Sequence, residues 1–519
     1  MEMDFWDAIE KNNLEFLKQI KSIKGKNSQI LDRLIQQKTS IEIIRILIKK
    51  GIELNILDLS QRNALHLAII NHSEIELIDL LILSGVKTTQ KDNKNNEPIH
   101  YAVQYFQGKE SKKIVSLLLE NGASVNVKNS QNETPLHIAC QHQKSLEVVM
   151  FLIQKGAKVN STNHQKETPL HFAAENNQYE IVKFLLQRNA LLNQTTRYTN
   201  QTPLHFVCQR KDDPIDVIKL LVEKGADVNA KTKASETPLH FVCQYKNSLE
   251  IIKLLIEKGA DVNAKTFRNE TPLHFACQYK NSVEVINFLI EKGADVNLYN
   301  ATQETLLHIV CKEGQIEIAR KLVENGADIH AKNNYNETPL HIAFQFTKSF
   351  DIALFLIEKG ADVDSKTSQN ETSLHFVCKS QYSTDAIELV IEKTKDINAK
   401  TDRNETPLHF ACQYQNSVDV IRLLIEKGAD LKIKNKRKET PLHFACRHQR
   451  PLEIIKFLVE KGDDVNAKNT NNETPLHFAC KYKNSLETVN FLIGKGAVVN
   501  VDNQKNETPS SYCLQRKQY

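Results

Sequence analysis

Histidine and cysteine are the residues whose placement in this chain invites a chemical reading. Thirteen of the 18 histidines recur in register, at His66, His100, His137, His171, His205, His240, His274, His308, His341, His375, His409, His443 and His477. Nine of the ten cysteines, from Cys140 to Cys480, follow a histidine of this series by three residues. Imidazole with thiolate could hold zinc or build a nucleophile and its base. The spacing argues against both. The histidines are 33 to 37 residues apart, and a fixed period of that length means small units stacked in a row. Stacked equivalents lie about 8–10 Å apart. A metal needs its ligands about 2 Å from one point, and a disulfide needs Cα atoms within about 7 Å. A catalytic set is normally unique in a chain, whereas a feature copied ten times is scaffold. The sequence contains no GxGxxG, GxxxxGK[ST], HExxH or CxxC. No catalytic residue, metal site or cofactor is therefore expected, and the chain is not expected to be an enzyme.

The elements that hold these side chains are clearest in the unit from Asn269 to Asn297. Thr271 is a good N-cap, and Pro272 suits the first helical position, where a missing N–H is harmless. Leu273, Ala276 and Cys277 put small apolar groups on one side of a helix of two turns. A polar turn, 278–282, leads to a second helix over 283–292, apolar at Val283, Ile286, Leu289 and Ile290, a spacing of three and four. Gly293 stands where a left-handed residue ends the helix. Neither helix is long enough to be stable alone, so each pair must be buried between like neighbours.

Thr271-Pro-Leu-His274, the small pair Ala276-Cys277, Glu284-Val-Ile286 and Leu289-Ile-Glu-Lys-Gly-Ala-Asp-Val-Asn297 together resemble the ankyrin repeat, over roughly residues 28–513. The resemblance implies an all-α solenoid of stacked helix-turn-helix pairs with β-turn or hairpin fingers. It also implies that each register histidine bonds turn backbone and ties adjacent repeats. Most repeats carry one residue more than the family's 33, in the turn between helices. Position 269, usually glycine in the family, is asparagine here and at 132, 200, 336, 370, 404, 472 and 506. Asparagine is the next best residue for a left-handed turn.

Along the chain, residues 1–60 are expected to be degenerate N-terminal capping repeats, with helix pairs over 5–23 and 28–57. Residues 61–507 form an array of about 13 repeats of 33–37 residues, and 508–519 a partial C-terminal capping repeat. The unit after His100 has the longest inter-helix turn, 105–113. Asn189 and Thr394 replace the terminal glycine. A left-handed threonine is strained, so local softness, read as fast amide exchange, is expected at 390–400.

Net charge is +5, from 68 Lys+Arg against 63 Asp+Glu, a mixed surface unlike that of a dedicated nucleic-acid binder. No apolar run reaches 18 residues. The acidic start Met1–Asp7 lacks the basic end and apolar centre of a signal peptide. The register cysteines therefore read as small buried groups in a reducing cytoplasm. Asn-x-Thr sequences such as Asn132, Asn200 and Asn269 read as turn and cap chemistry, not glycan sites.

Two places per repeat escape the demands of the fold, and in the resembled family they contact partners. The end of the first helix carries Gln244-Tyr245, Gln278-Tyr279, Gln345-Phe346, Gln413-Tyr414 and Tyr482, with Gln141-His142, Gln209-Arg210 and Arg447-His448 in the same register. Tyrosine offers rigid area and one polar handle, but these rings could equally pack on the neighbouring turn. The turn tips carry Phe267, Arg268, Tyr335, Arg403, Lys436 and Arg437. The run Lys432-Ile-Lys-Asn-Lys-Arg-Lys438, followed by Arg447 and Arg450, could grip an acidic segment or a phosphate, and a solvated charge run is its blander reading. The expected function is a monomeric, non-enzymatic scaffold binding protein partners in a groove, without membrane insertion. One alternative is nucleic-acid or phosphate binding through 432–450. The Asn, Lys and Ile richness resembles coding by an AT-rich genome, and arrays of this family are common in protists and in bacteria living inside eukaryotic cells. A host-directed effector exported to a host cell is therefore a variant of the scaffold reading.

Overall fold

The computed structural model describes residues 8–9, 13–19, 30–142, 146–212, 214–245, 248–279, 282–379, 384–414, 418–448, 452–482 and 485–515. The acidic start 1–7, most of the helix pair 5–23, most of the extra inter-helix turn residues and Arg450 lie outside them. The described residues are helical, with no strand among them, and no helix is long and apolar enough to cross a membrane. The chain divides into two compact units, residues 1–267 and 268–519.

In the first unit, the first helix of each repeat packs on the first helix of the next, as Pro169–Glu175 does on Pro203–Cys208. Second helices pack likewise, as Ile215–Glu223 does on Leu249–Glu257. The second unit repeats both contacts, for example Pro407–Gln413 on Pro441–Arg447. The core lies between these layers. Leu408, Ala411 and Cys412 from one helix and Val420, Ile421 and Leu424 from its partner are buried, as their three-and-four spacing requires.

Fingers project between repeats, and each is closed by its own side chain. Asn435 Oδ1 accepts the N–H groups of Arg437 and Glu439, both at 2.9 Å. The asparagines in the family's glycine position are left-handed, with φ from 53° to 61°, and so are Lys166, Ser235, Gln303 and Lys438. A single backbone bond joins one finger to the next: Ser130 N–H to Lys94 O at 2.8 Å in the first unit, and Lys436 N–H to Arg403 O and Thr470 N–H to Arg437 O, both at 2.8 Å, in the second.

Three expectations are corrected. The long repeat after His100 spends its extra residues on a second helix of 13 residues, Gly108–Glu120, instead of a loop. Thr394 is not left-handed: positive φ is absent there, and its hydroxyl donates to Val390 O at 2.8 Å. The Lys395 N–H bonds Asp364 of the preceding repeat at 3.0 Å, so the chain avoids the strain by leaving the usual helix stop. Asn189 does take that stop, with φ 63°. Eight of the register cysteines are buried thiols outside any disulfide, and burial weakens their acidity, to a pKa of about 12 for Cys277. Cys480 departs from the expectation and is disulfide-bonded.

Candidate functional site

The histidine ladder is structural. Each register histidine from His137 to His477 sits at the third position of its helix, and the preceding threonine's N–H donates to its Nδ1, as at Thr406–His409 (3.1 Å). An Nδ1 that accepts leaves the proton on Nε2, which then donates to a carbonyl of the next finger: His137 to Glu167 O at 3.2 Å, and His409 to Glu439 O at 3.3 Å. The ring edge meets the phenylalanine of the next repeat, as in His375–Phe410 with centroids 5.2 Å apart. Burial holds these imidazoles neutral, with pKa values lowered to about 4 at His137 and His409. Among the described residues no group of three His, Cys, Asp or Glu side chains is placed to hold a metal.

The helix-end residues have different fates. Tyr245, in the first unit, donates its hydroxyl to Gln209 O of the preceding repeat at 2.7 Å and is half-buried beside Gln244. In the second unit, Gln278 and Tyr279 are exposed, Tyr279 by 49%, with its ring 6.1 Å from Phe275. Gln345 donates to Glu337 at 2.6 Å, and Phe346 has Lys348 6.0 Å from its ring centroid. Gln413 and Tyr414 are half-buried, and Lys379 lies 6.0 Å from the Tyr414 ring centroid. Tyr482 is partly exposed, its ring 5.9 Å from Phe478. At the tips, Phe267 (84% exposed) ends the first unit, while Tyr335 (67%), Arg268, Arg403, Lys436 and Arg437 are exposed in the second.

Only some of these residues converge. A cavity of about 690 Å³ in the second unit is walled by Arg403, Lys436 and Arg437 from two fingertips and by Gln413, Tyr414 and Arg447 from two first helices. A second cavity, of about 420 Å³, shares Arg437 and Arg447 with it and extends to Lys481 and Tyr482. The two form one trough.

The trough floor was missed by sequence reasoning. It carries the glutamate that precedes each threonine cap, at Glu371, Glu405, Glu439 and Glu473, and the signal was that recurrence. Glu439 is buried and paired with Arg447, and Glu473 pairs with Lys481 at 3.4 Å. Glu473 is buried, but hydrogen bonds from Asn469 and the Lys481 charge outweigh that burial and hold its carboxyl below the usual range. Eight residues after Glu405 stands Gln413 in place of a cation, and burial raises the Glu405 pKa. The arrangement offers charged and hydrogen-bonding groups around aromatic rings, as recognition of a chain segment needs.

A family model of ankyrin repeats, described as three copies, matches in eight overlapping segments: residues 31–129, 71–163, 99–196, 136–232, 204–300, 273–367, 362–435 and 429–503. No curated protein matches the chain.

Proposed function

The chain belongs to the ankyrin-repeat family, whose repeats are generally protein-protein interaction modules, and we propose that it is a non-enzymatic scaffold holding protein partners in the trough of its second unit. The observation that carries this reading is the convergence of fingertip cations with the Gln413-Tyr414 helix end around one cavity of about 690 Å³. Cavities of a few hundred Å³ lined by aromatic and a few polar groups are typical recognition sites. Tyr279, Phe346 and Tyr482 extend the candidate surface within the same unit, whereas Tyr245 serves as a tie between repeats.

The test is affinity capture with mass spectrometry, comparing the native chain with the triple variant Gln413→Ala, Tyr414→Ala, Arg437→Ala. These side chains are exposed or half-buried, so the thermal transition should stay in place while trough-dependent partners disappear. An identical set of captured proteins at matched folding would remove the trough from consideration.

A further inference from the structure

Two successive fingers of the second unit end in exposed cations. Arg403 closes one, and Lys436 and Arg437 close the next; all three are exposed, and none makes an ion pair among the described residues. The carboxylates nearby are mostly paired or set on the floor. Glu439 holds Arg447, and Glu371 and Glu405 are half-buried on the floor, where the Arg403 charge acts on both; Asp402, bonded to the neutral amide of Asn370 at 2.6 Å, is the exposed carboxylate of the wall. Three exposed cations thus stand against one exposed carboxylate along this wall, which leaves it net positive.

Arg403 and Arg437 occupy the same position in neighbouring repeats, held in register by the Lys436-to-Arg403 backbone bond of 2.8 Å. Neighbouring packed helices are about 8–10 Å apart, so the two arginine positions recur at roughly that interval along the array. A polyproline-II chain has three residues per turn and rises about 3.1 Å per residue, so side chains three apart share a face and lie about 9.3 Å apart. A β-strand puts residues three apart on opposite faces, and an α-helical turn rises only about 5.4 Å. Grooves that take polyproline-II chains are lined with aromatic rings, here Tyr414 beside Phe410, 6.0 Å apart.

We propose that the trough binds an extended polyproline-II segment bearing an acidic side chain at every third residue, one on Arg403 and the next on Arg437. The inference rests on the trough being the partner site. The ligand would lie along the wall with its carboxylates on the guanidinium groups, as charge-assisted pairs. Its intervening residues would face Tyr414.

The probe is a fluorescein-labelled peptide of four Glu-Pro-Pro repeats, titrated with the full chain by fluorescence anisotropy at low and at physiological salt. Saturable, salt-weakened binding is expected. The Gln-Pro-Pro counterpart, and the double variant Arg403→Ala, Arg437→Ala, should each weaken it at least about tenfold, the loss expected for a charge-assisted hydrogen bond. Lys332→Ala, on another finger, should leave it unchanged. A peptide with glutamate at every fourth position should bind more weakly. Equal binding of the glutamine or the four-spaced peptide would overturn the proposal. So would tighter binding of a thymidine dodecamer that the same double variant releases, which would make the wall a nucleic-acid site. If trough-dependent proteins are captured but no acidic peptide binds, the ligand chemistry fails while the partner site stands; if neither is seen, both fail.

Discussion

The dipeptide Gln-Tyr stands at or just past the end of a first helix twice in each unit, and two of these copies, Gln244-Tyr245 and Gln413-Tyr414, do different things. The helix Pro238–Val242 stops after five residues, so Tyr245 leaves the helix and its hydroxyl reaches Gln209 O. The helix Pro407–Gln413 runs for seven, so Tyr414 stays at its end and lines the trough. The preceding repeat differs too. Arg210 turns back to bond Glu175 O and Asp212 in the first unit, whereas Lys379 approaches the Tyr414 ring in the second. An identical local sequence is therefore a tie in one place and a wall in the other, and the neighbour decides which.

The largest expected effect tests what the two units share. His100, His137, His171 and His205 in the first unit, and His341, His375, His409 and His443 in the second, are all held neutral by burial with pKa values of about 4. The unfolded chain binds a proton at each near pH 6.5. Stability is therefore complete above pH 6.5 and falls as pH drops toward 4, by about 3 kcal/mol per fully buried histidine. Circular dichroism melts between pH 7 and pH 4.5 should show a steep, common loss, and unfolding of one unit alone would break the likeness.

Next in size is a difference between the units. The position after the terminal glycine is alanine in the first unit at Ala226 and Ala260 and in the second at Ala294 and Ala429, but one repeat of the second unit carries Asp463, and all five are buried. Asp463 Oδ2 accepts the Leu442 N–H at 3.0 Å while Oδ1 has no hydrogen-bond partner. Burial raises its pKa to about 7. The fold then keeps a proton that the unfolded chain releases above its ordinary value of 3.8, so stability falls as pH rises from 3.8 through 7. Asp463→Ala should stabilise by up to about 4 kcal/mol at pH 8 and by little at pH 4. A gain that does not grow with pH would mean that the carboxylate is satisfied.

The smallest effect isolates the tyrosines. Tyr245→Phe should cost about 1 kcal/mol, one net hydrogen bond, without altering capture of partners. Tyr414→Phe should leave denaturant midpoints unchanged. Equal destabilisation by both would erase the distinction.

The period, the Thr-Pro helix start and the left-handed asparagines were legible because each is a local demand met by a residue type. The left-handed Lys166, Ser235, Gln303 and Lys438 were not, since the finger imposes that conformation whatever residue occupies it. Thr394 shows the converse: a helix can end another way when its neighbour, Asp364, supplies an acceptor. The candidate site was legible as two separate strips, helix ends and fingertips. That Arg403 and Arg437 stand over Tyr414 depends on how one repeat's finger overhangs the next repeat's helix, which no single unit encodes. The role of the asparagine that closes a repeat was not legible either. Asn126 donates to Gly156 O at 2.9 Å and accepts from Lys158 N–H at 2.9 Å, and Asn398 does the same with Gly428 and Asp430.

These asparagine braces reach forward by 30 and 32 residues, the histidine ties by 24 to 31. A reach that never exceeds one period has a consequence for how such a chain can change length. Excising or duplicating a whole regular period within either unit gives a brace such as Asn398 another glycine carbonyl to face and a tie such as His409 another finger carbonyl. Recombination between copies can therefore lengthen or shorten the molecule without redesigning a joint.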